Sequence, residues 1–228
     1  MHGISIRVPL CNMESRCNTA MNINSYISRQ FSNPTGFGGK LVTSIMNRQN
    51  RPLYEETVRL LSPNDTDSIL DIGCGNGYML NMIARHCNGV LTGIDTSASI
   101  LKEASIRNHA FTVNGKISLL CNDVSAMPFT DCSFTKAYSI NTVYFWKNLN
   151  GVLKEIRRVL KPDGLFINTL YTNETLSRFS HTQFGYNRYK VDQLTKTGED
   201  EGLIAKIMPA LNGAAYCIIY TRVESQSP

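Results

Sequence analysis

Ile69-Leu70-Asp71-Ile72-Gly73-Cys74-Gly75-Asn76-Gly77-Tyr78 is an apolar run ending in three glycines spaced two apart, and the helical pattern Met79, Leu80, Met82, Ile83 follows it. A short apolar run bounded by glycines and leading into such a pattern reads as a buried strand, a tight turn and a helix. Glycines in the turn let main-chain N–H groups approach a ligand closely, and the helix beyond presents its positive dipole end and unpaired amides. The stretch therefore reads as a nucleotide-type cofactor site. A dinucleotide fingerprint, G-x-G-x-x-G, would place its third glycine where this chain has Tyr78, and rarely carries an acid just ahead of the first. The pattern here is acid-x-G-x-G-x-G, with Asp71 as the acid. Glycines after a strand are also ordinary turn residues, so the rest of the chain has to discriminate.

Moving outward, helical pattern from about Leu41 to Leu61 meets a break at Ser62-Pro63-Asn64-Asp65 before the first strand. Strands then alternate with helices through Phe166, which demands a parallel sheet with right-handed crossovers. The end departs from this: Leu203 to Met208 and Tyr216 to Val223 read as strands joined through Pro209 to Ala215, too short a link for a helical crossover. At 228 residues and 42% hydrophobic content, the chain suits one substantial core with an N-terminal extension. Residues 1–61 are read as a cap or lid segment and 62–228 as the domain.

Charged residues are 18% of the chain and the formal net charge is +5, too mild to mark a nucleic-acid binder. Lys154, Arg157, Arg158 and Lys161 share one helical stripe that could touch phosphates, although such a stripe is more often a solvated face. Seven cysteines without a C-x-x-C pair support neither a disulfide framework nor a zinc ribbon, and no metal site is expected. Polar residues interrupt the first twenty positions, and nowhere do about 18 apolar residues run together. A reduced, cytoplasmic protein without membrane insertion is the expectation; the oligomeric state is not legible.

The acid-x-G-x-G-x-G stretch resembles motif I of the class I S-adenosylmethionine-dependent methyltransferases, and further motifs follow in order. Val90-Leu91-Thr92-Gly93-Ile94-Asp95 resembles the second strand, whose terminal carboxylate can accept both ribose hydroxyls. Ile117 to Val124 with Met127-Pro128-Phe129 resembles the third motif, where Asp123 and the Val124 amide would meet the adenine edge. Ser133 to Asn141 resembles the fourth strand, and Arg158 to Leu165 the turn into the fifth. The resemblance spans Ser68 to roughly Asn168. It implies an α/β fold with a Rossmann-like, seven-stranded, mostly parallel sheet, an antiparallel last strand, helices on both faces and an N-terminal helical cap. It also implies S-adenosyl-L-methionine as cofactor, with S-adenosyl-L-homocysteine as product. The cofactor-binding candidates are Asp71, Gly73, Cys74, Gly75, Asn76 and Gly77 from the first motif, Asp95 and Thr96 from the second, and Asp123, Val124 and Asn141 beyond. Asp95 also suits a helix N-terminus before Thr96 and Ser97, Asp123 a plain turn, and Cys74 a small space-filler.

Substrate contacts should come from Asn141 to Trp146, from the stretch after Asn168 and from the N-terminal segment. Asn141-Thr142-Val143-Tyr144 replaces the N-P-P-Y tetrapeptide of amino-directed DNA and protein-glutamine methyltransferases, which argues against those branches. Phe31 to Lys40 and Ile45 to Arg51 resemble the cap of small-molecule methyltransferases of the ubiquinone and menaquinone type. Glycines 36, 38 and 39 suggest a hinge for a lid, or else a plain surface loop. Phe31, Asn47, Tyr144 and Trp146 are the substrate candidates, with Tyr144 and Trp146 either lining a pocket or packing helix onto sheet. Transfer from a sulfonium needs alignment and water exclusion, and a base only where the nucleophile must lose a proton. His181 and Tyr144 are the catalytic candidates; a histidine pKa of about 6.5 suits proton removal, and Tyr171 and Tyr186 are further hydroxyls. Methylation of a small-molecule acceptor is the reading that results. An RNA or protein methyltransferase of the same fold, a non-catalytic S-adenosylmethionine-binding protein, and more distantly an NAD(P) oxidoreductase are the alternatives.

Overall fold

The computed structural model describes residues 36–179, 182 and 185–223. Helix α1 (Gly36–Leu61) leads to strand β1 (Ser68–Ile72), α2 (Tyr78–Ala84), β2 (Val90–Asp95), α3 (Ala98–Arg107), α4 (His109–Val113) and β3 (Ile117–Cys121). Strand β4 (Phe134–Ile140), α5 (Leu149–Val159), β5 (Leu160–Tyr171), α6 (Asn173–Ser177), α7 (Val191–Asp200), β6 (Leu203–Ala210) and β7 (Ala215–Arg222) follow. Gly36, Gly38 and Gly39, read from the sequence as a hinge or loop, fall inside α1, so helix replaces the expected break there.

The seven strands form one sheet in the order β3-β2-β1-β4-β5-β7-β6. All neighbours are parallel except β7, which runs antiparallel to both β5 and β6. The short connection that excluded a crossover from the sequence is the turn at 211–214 between β6 and β7. Period-2 alternation splits the sheet's side chains between two apolar layers. Leu53 and Leu61 of α1, Leu80 and Ile83 of α2 and Leu101 of α3 cover one face, packing on Ile69, Leu91, Tyr138 and Ile167. Val152, Leu153 and Ile156 of α5 and Leu194 of α7 cover the other, on Leu70, Ala137, Phe166 and Tyr220.

Helix α5 shows how sequence sets an element here. Asn148 caps it, its Oδ1 accepting the Gly151 N–H at 3.1 Å. Its buried positions Leu149, Val152, Leu153, Ile156 and Val159 follow the 3.6-residue period, each contributing roughly 1.5–3 kcal/mol of burial. Pro162 disfavours helical backbone at Lys161, and the helix ends at Val159. The segment expected to turn into the fifth strand is counted within β5, as an excursion between the pairs Phe134–Leu160 and Lys136–Leu165.

Candidate functional site

Strand order reverses between β1, which leads outward to β2 and β3, and β4, which leads to the other half. A crevice at the carboxyl ends of strands on either side of such a reversal is where open α/β sheets bind ligands. The carboxyl ends of β1, β2 and β4 open here into a cavity of about 550 Å³, roofed on one side by α1.

The glycine loop forms the floor. The N–H groups of Gly73 and Cys74 both donate to the Ile94 carbonyl, at 2.8 and 3.0 Å, tying the loop to β2. Gly73 has φ 73°, and a Cβ there would collide with Cγ2 of Thr142. Gly75, at φ 52°, differs: a Cβ would meet nothing within 4 Å, because it would project into the cavity. Asp95 holds that conformation, Oδ2 accepting the Gly75 N–H at 3.0 Å and Oδ1 the Ser97 N–H at 2.9 Å. A carboxylate has about four lone-pair sites, so Asp95 keeps acceptor capacity for the cavity. Burial raises the Asp95 carboxyl above its ordinary range, against the lowering by the N–H groups of Ser97, Gly75 and Thr96.

Asp71 lies on β1 directly across from Tyr138 of β4, and the Tyr138 hydroxyl donates to Asp71 Oδ2 at 2.8 Å. Asp71 is 3% exposed. Burial, aided by the neighbouring Asp95 charge and opposed by the Tyr138 hydrogen bond, pushes it up to about 8. Asp123 is instead exposed at the rim. Its Oδ1 accepts the Ser125 N–H and hydroxyl, each at 2.8 Å, and these bonds with the nearby Lys147 hold it below the usual carboxylate value.

Of the cofactor candidates, Asp71, Gly73, Cys74, Gly75 and Asn76 line the cavity from the first motif, Asp95 and Thr96 from the second, and Asp123, Val124 and Asn141 from the later ones. Gly77 does not. It lies behind the loop, its carbonyl accepting Asn108 Nδ2 at 3.0 Å, while Arg107 Nε reaches the Asn76 carbonyl at 3.1 Å.

Toward β4 and β5 the lining changes character. Asn47, Asn50 and Tyr54, spaced three and four apart, project from one face of α1. Asn141, in left-handed backbone at φ 57°, donates from Nδ2 to Asn50 Oδ1 at 3.1 Å. Its Oδ1 accepts the Tyr144 hydroxyl at 3.2 Å and the Tyr171 N–H at 3.3 Å. Thr57 and Thr169 hydroxyls, 2.7 Å apart, pin α1 further along. Phe145, Trp146 and Ile140 supply an apolar wall.

Tyr144 corrects a sequence expectation. It is 2% exposed and does not line the cavity; its hydroxyl binds Asn141 and the Tyr171 carbonyl, and burial drives its pKa far above the ordinary value. It packs loop onto sheet, whereas Trp146 both packs near Phe166 and lines the cavity. Burial also raises Tyr171, and Tyr186 to about 12. His181 and Phe31 lie outside the described residues. Tyr54 and Tyr138 were not anticipated, while Phe145 falls in the stretch Asn141 to Trp146 expected to meet substrate and Asn50 in the cap stretch Ile45 to Arg51 without being singled out; the polar spacing Asn47, Asn50, Tyr54 on a helix was the signal available for Asn50 and Tyr54.

The residues present fit a nucleoside cofactor: a glycine cradle that a Cβ would fill, a ribose-competent carboxylate and a second acid inside the same cavity. Residues 70–168 match the family model described as a methyltransferase domain. The 24-methylenesterol C-methyltransferase 2 of Oryza sativa subsp. japonica is 32% identical over 132 residues, 58% of this chain and 36% of that protein. The chain thus spans about a third of the length of its plant sterol-methyltransferase relatives. The uncharacterized methyltransferase YdaC of Bacillus subtilis is 33% identical over 132 residues, 57% of this chain and 70% of that one. In fold, the chain resembles the putative methyltransferase solved in complex with the Trm112 activator of Haloferax volcanii, at TM-score 0.70 and 19% identity, over 79% of this chain and 93% of that one. Motif order, strand order and a relative matched over most of its length agree, and the chain belongs to the class I S-adenosylmethionine-dependent methyltransferase family.

Proposed function

We propose that this protein methylates a small, largely apolar acceptor. The observation that carries this reading is the wall of Ile140, Phe145 and Trp146, which continues the cofactor crevice beneath α1 as one partly roofed cavity. The sterol methyltransferase relatives support an acceptor of that polarity.

When bound, S-adenosylmethionine supplies a sulfonium-activated methyl group that an acceptor takes by in-line displacement. Asp95 would accept the ribose hydroxyls, Asp123 with the Val124 amide would face the adenine edge, and Asp71 would complement the α-ammonium. Asn141, fixed from three sides, would orient the acceptor end together with Asn47 and Asn50 of α1. Phe145, Trp146 and Tyr54 would exclude water, and alignment is the main contribution asked of them. Tyr144, Tyr171 and Tyr186 all keep their protons near neutrality, so they suit a nucleophile that needs no base from them. His181 remains the histidine candidate where a proton must leave.

The basic stripe gives a macromolecular acceptor less support. Arg158 is engaged by Glu155 and Asp131 at 2.7 and 2.8 Å, and Arg157 by the Gly202 carbonyl. No helix among the described residues is long and apolar enough to cross a membrane. Incubation with methyl-labelled S-adenosylmethionine and a cell extract, followed by size and polarity fractionation, tests the proposal. Label in the apolar small-molecule fraction is expected; label confined to RNA or protein would overturn it.

A further inference from the structure

We propose that burial beside Asp95 keeps Asp71 a neutral acid until cofactor binds, that the cofactor's α-ammonium expels its proton to solvent, and that Tyr138 is a positioning residue whose hydroxyl fixes the carboxyl and eases that loss. The inference rests on the cofactor reading above and adds to it a proton exchange and a residue that governs it.

Three observations converge. Register places Tyr138 beside Asp71 on adjacent strands, and the 2.8 Å hydrogen bond from its fully buried hydroxyl fixes Oδ2. Asp71 itself lines the cavity. Among the described residues, the groups facing Asp71 carry no positive charge: Tyr138 from β4, Asp95 from β2, Tyr54 from α1 and Cys74 from the glycine loop. Burial drives the Cys74 thiol and both tyrosine hydroxyls upward, so they stay neutral, and among these groups Asp95 carries the charge. An isolated carboxylate in such surroundings takes up a proton rather than stay charged.

An ammonium group binds a carboxylate far more strongly than a neutral carboxyl. On binding, the carboxyl O–H breaks, its proton leaves to solvent, and the carboxylate pairs with the incoming cation. No oxidant, reductant or further bond change is involved. Since Tyr138 already donates to Oδ2, the exchange is assigned to Oδ1.

Calorimetric titration of the full chain, in two buffers of different ionisation enthalpy at pH 7, reads the proton directly. S-adenosylhomocysteine carries the ammonium without the sulfonium, and 5′-methylthioadenosine carries neither. About one proton should be released per S-adenosylhomocysteine and none with methylthioadenosine. Affinity for the former should tighten about tenfold per pH unit between pH 6 and pH 8, with the latter unchanged. Equal proton counts for the two, or none for S-adenosylhomocysteine, would overturn the exchange. Tyr138→Phe should shift the S-adenosylhomocysteine profile upward by about one pH unit while leaving methylthioadenosine binding alone; an unmoved profile would remove Tyr138 from the account. Should that variant fail to fold, Asp71→Asn should abolish proton release with methylthioadenosine still bound, and persistent release would overturn the assignment to Asp71. Failure of the folded protein to bind either nucleoside would instead overturn the cofactor reading beneath it.

Discussion

A single carboxylate can shape a site and serve it. Asp95 uses two lone pairs to fix the Gly75 and Ser97 amides, and through Gly75 it holds the loop open where a larger side chain would enter the cavity. Asp95→Ala removes both functions together. Hydrogen bonds to charged groups are worth roughly 1.5–3 kcal/mol each, so S-adenosylhomocysteine affinity should fall at least about tenfold by calorimetry, with the far-ultraviolet circular dichroism unchanged. Undiminished affinity would place the ribose elsewhere. Tyr144 works at the same scale by a different route: its hydroxyl touches Asn141, so its influence on an acceptor runs through that side chain.

At the scale of elements, the end of α5 is finished from a distance. The last carbonyls of a helix lack partners and carry partial negative charge. Arg222, at the end of β7, supplies them: its Nη1 donates to the Arg157 carbonyl at 3.0 Å, the Arg158 carbonyl at 3.2 Å and the Leu160 carbonyl. Arg222→Met keeps the stem and removes the donors, and should destabilise the protein by about 2–4 kcal/mol in urea unfolding; an unchanged midpoint would show that water caps the helix as well. Nothing in the local sequence of α5 announces this contact, because the partner lies more than sixty residues away. The same distinction governs what the sequence disclosed. Strand runs, the glycine loop and Asp95 were legible because their signals are local spacing and composition. Asn50 and Tyr54 were legible only as polar spacing on a helix, since their place in the site is set once α1 docks across β4 and β5. Tyr138 read as another aromatic in a buried strand, and only the parallel register with β1 sets it against Asp71. Tyr144 misled because an aromatic at the right loop can face the cavity or the sheet, and local sequence does not choose between them.

At the scale of the whole molecule, the fold gathers acids where the free chain would not keep them. Asp71 is ionised above about pH 3.9 when unfolded, whereas the folded crevice raises it to about 8 through burial and the Asp95 charge. Between those values the native state binds the extra proton, so stability falls as pH rises, and the loss levels off above the folded value. The group therefore favours the fold below pH 4 and burdens it most at alkaline pH, an arrangement consistent with a side chain kept for a cation rather than for the core. Asp71→Asn removes the titration while keeping the shape. Without cofactor, the unfolding midpoint of the variant relative to the native protein should rise from pH 5 to pH 8.5. S-adenosylhomocysteine should stabilise the native protein more at the higher pH, since the carboxylate it pairs with is then already ionised. Parallel pH dependences for native and variant proteins would mean that Asp71 titrates in the crevice as it does in water, and that the field imposed by the fold at this position is weaker than its burial and neighbours dictate.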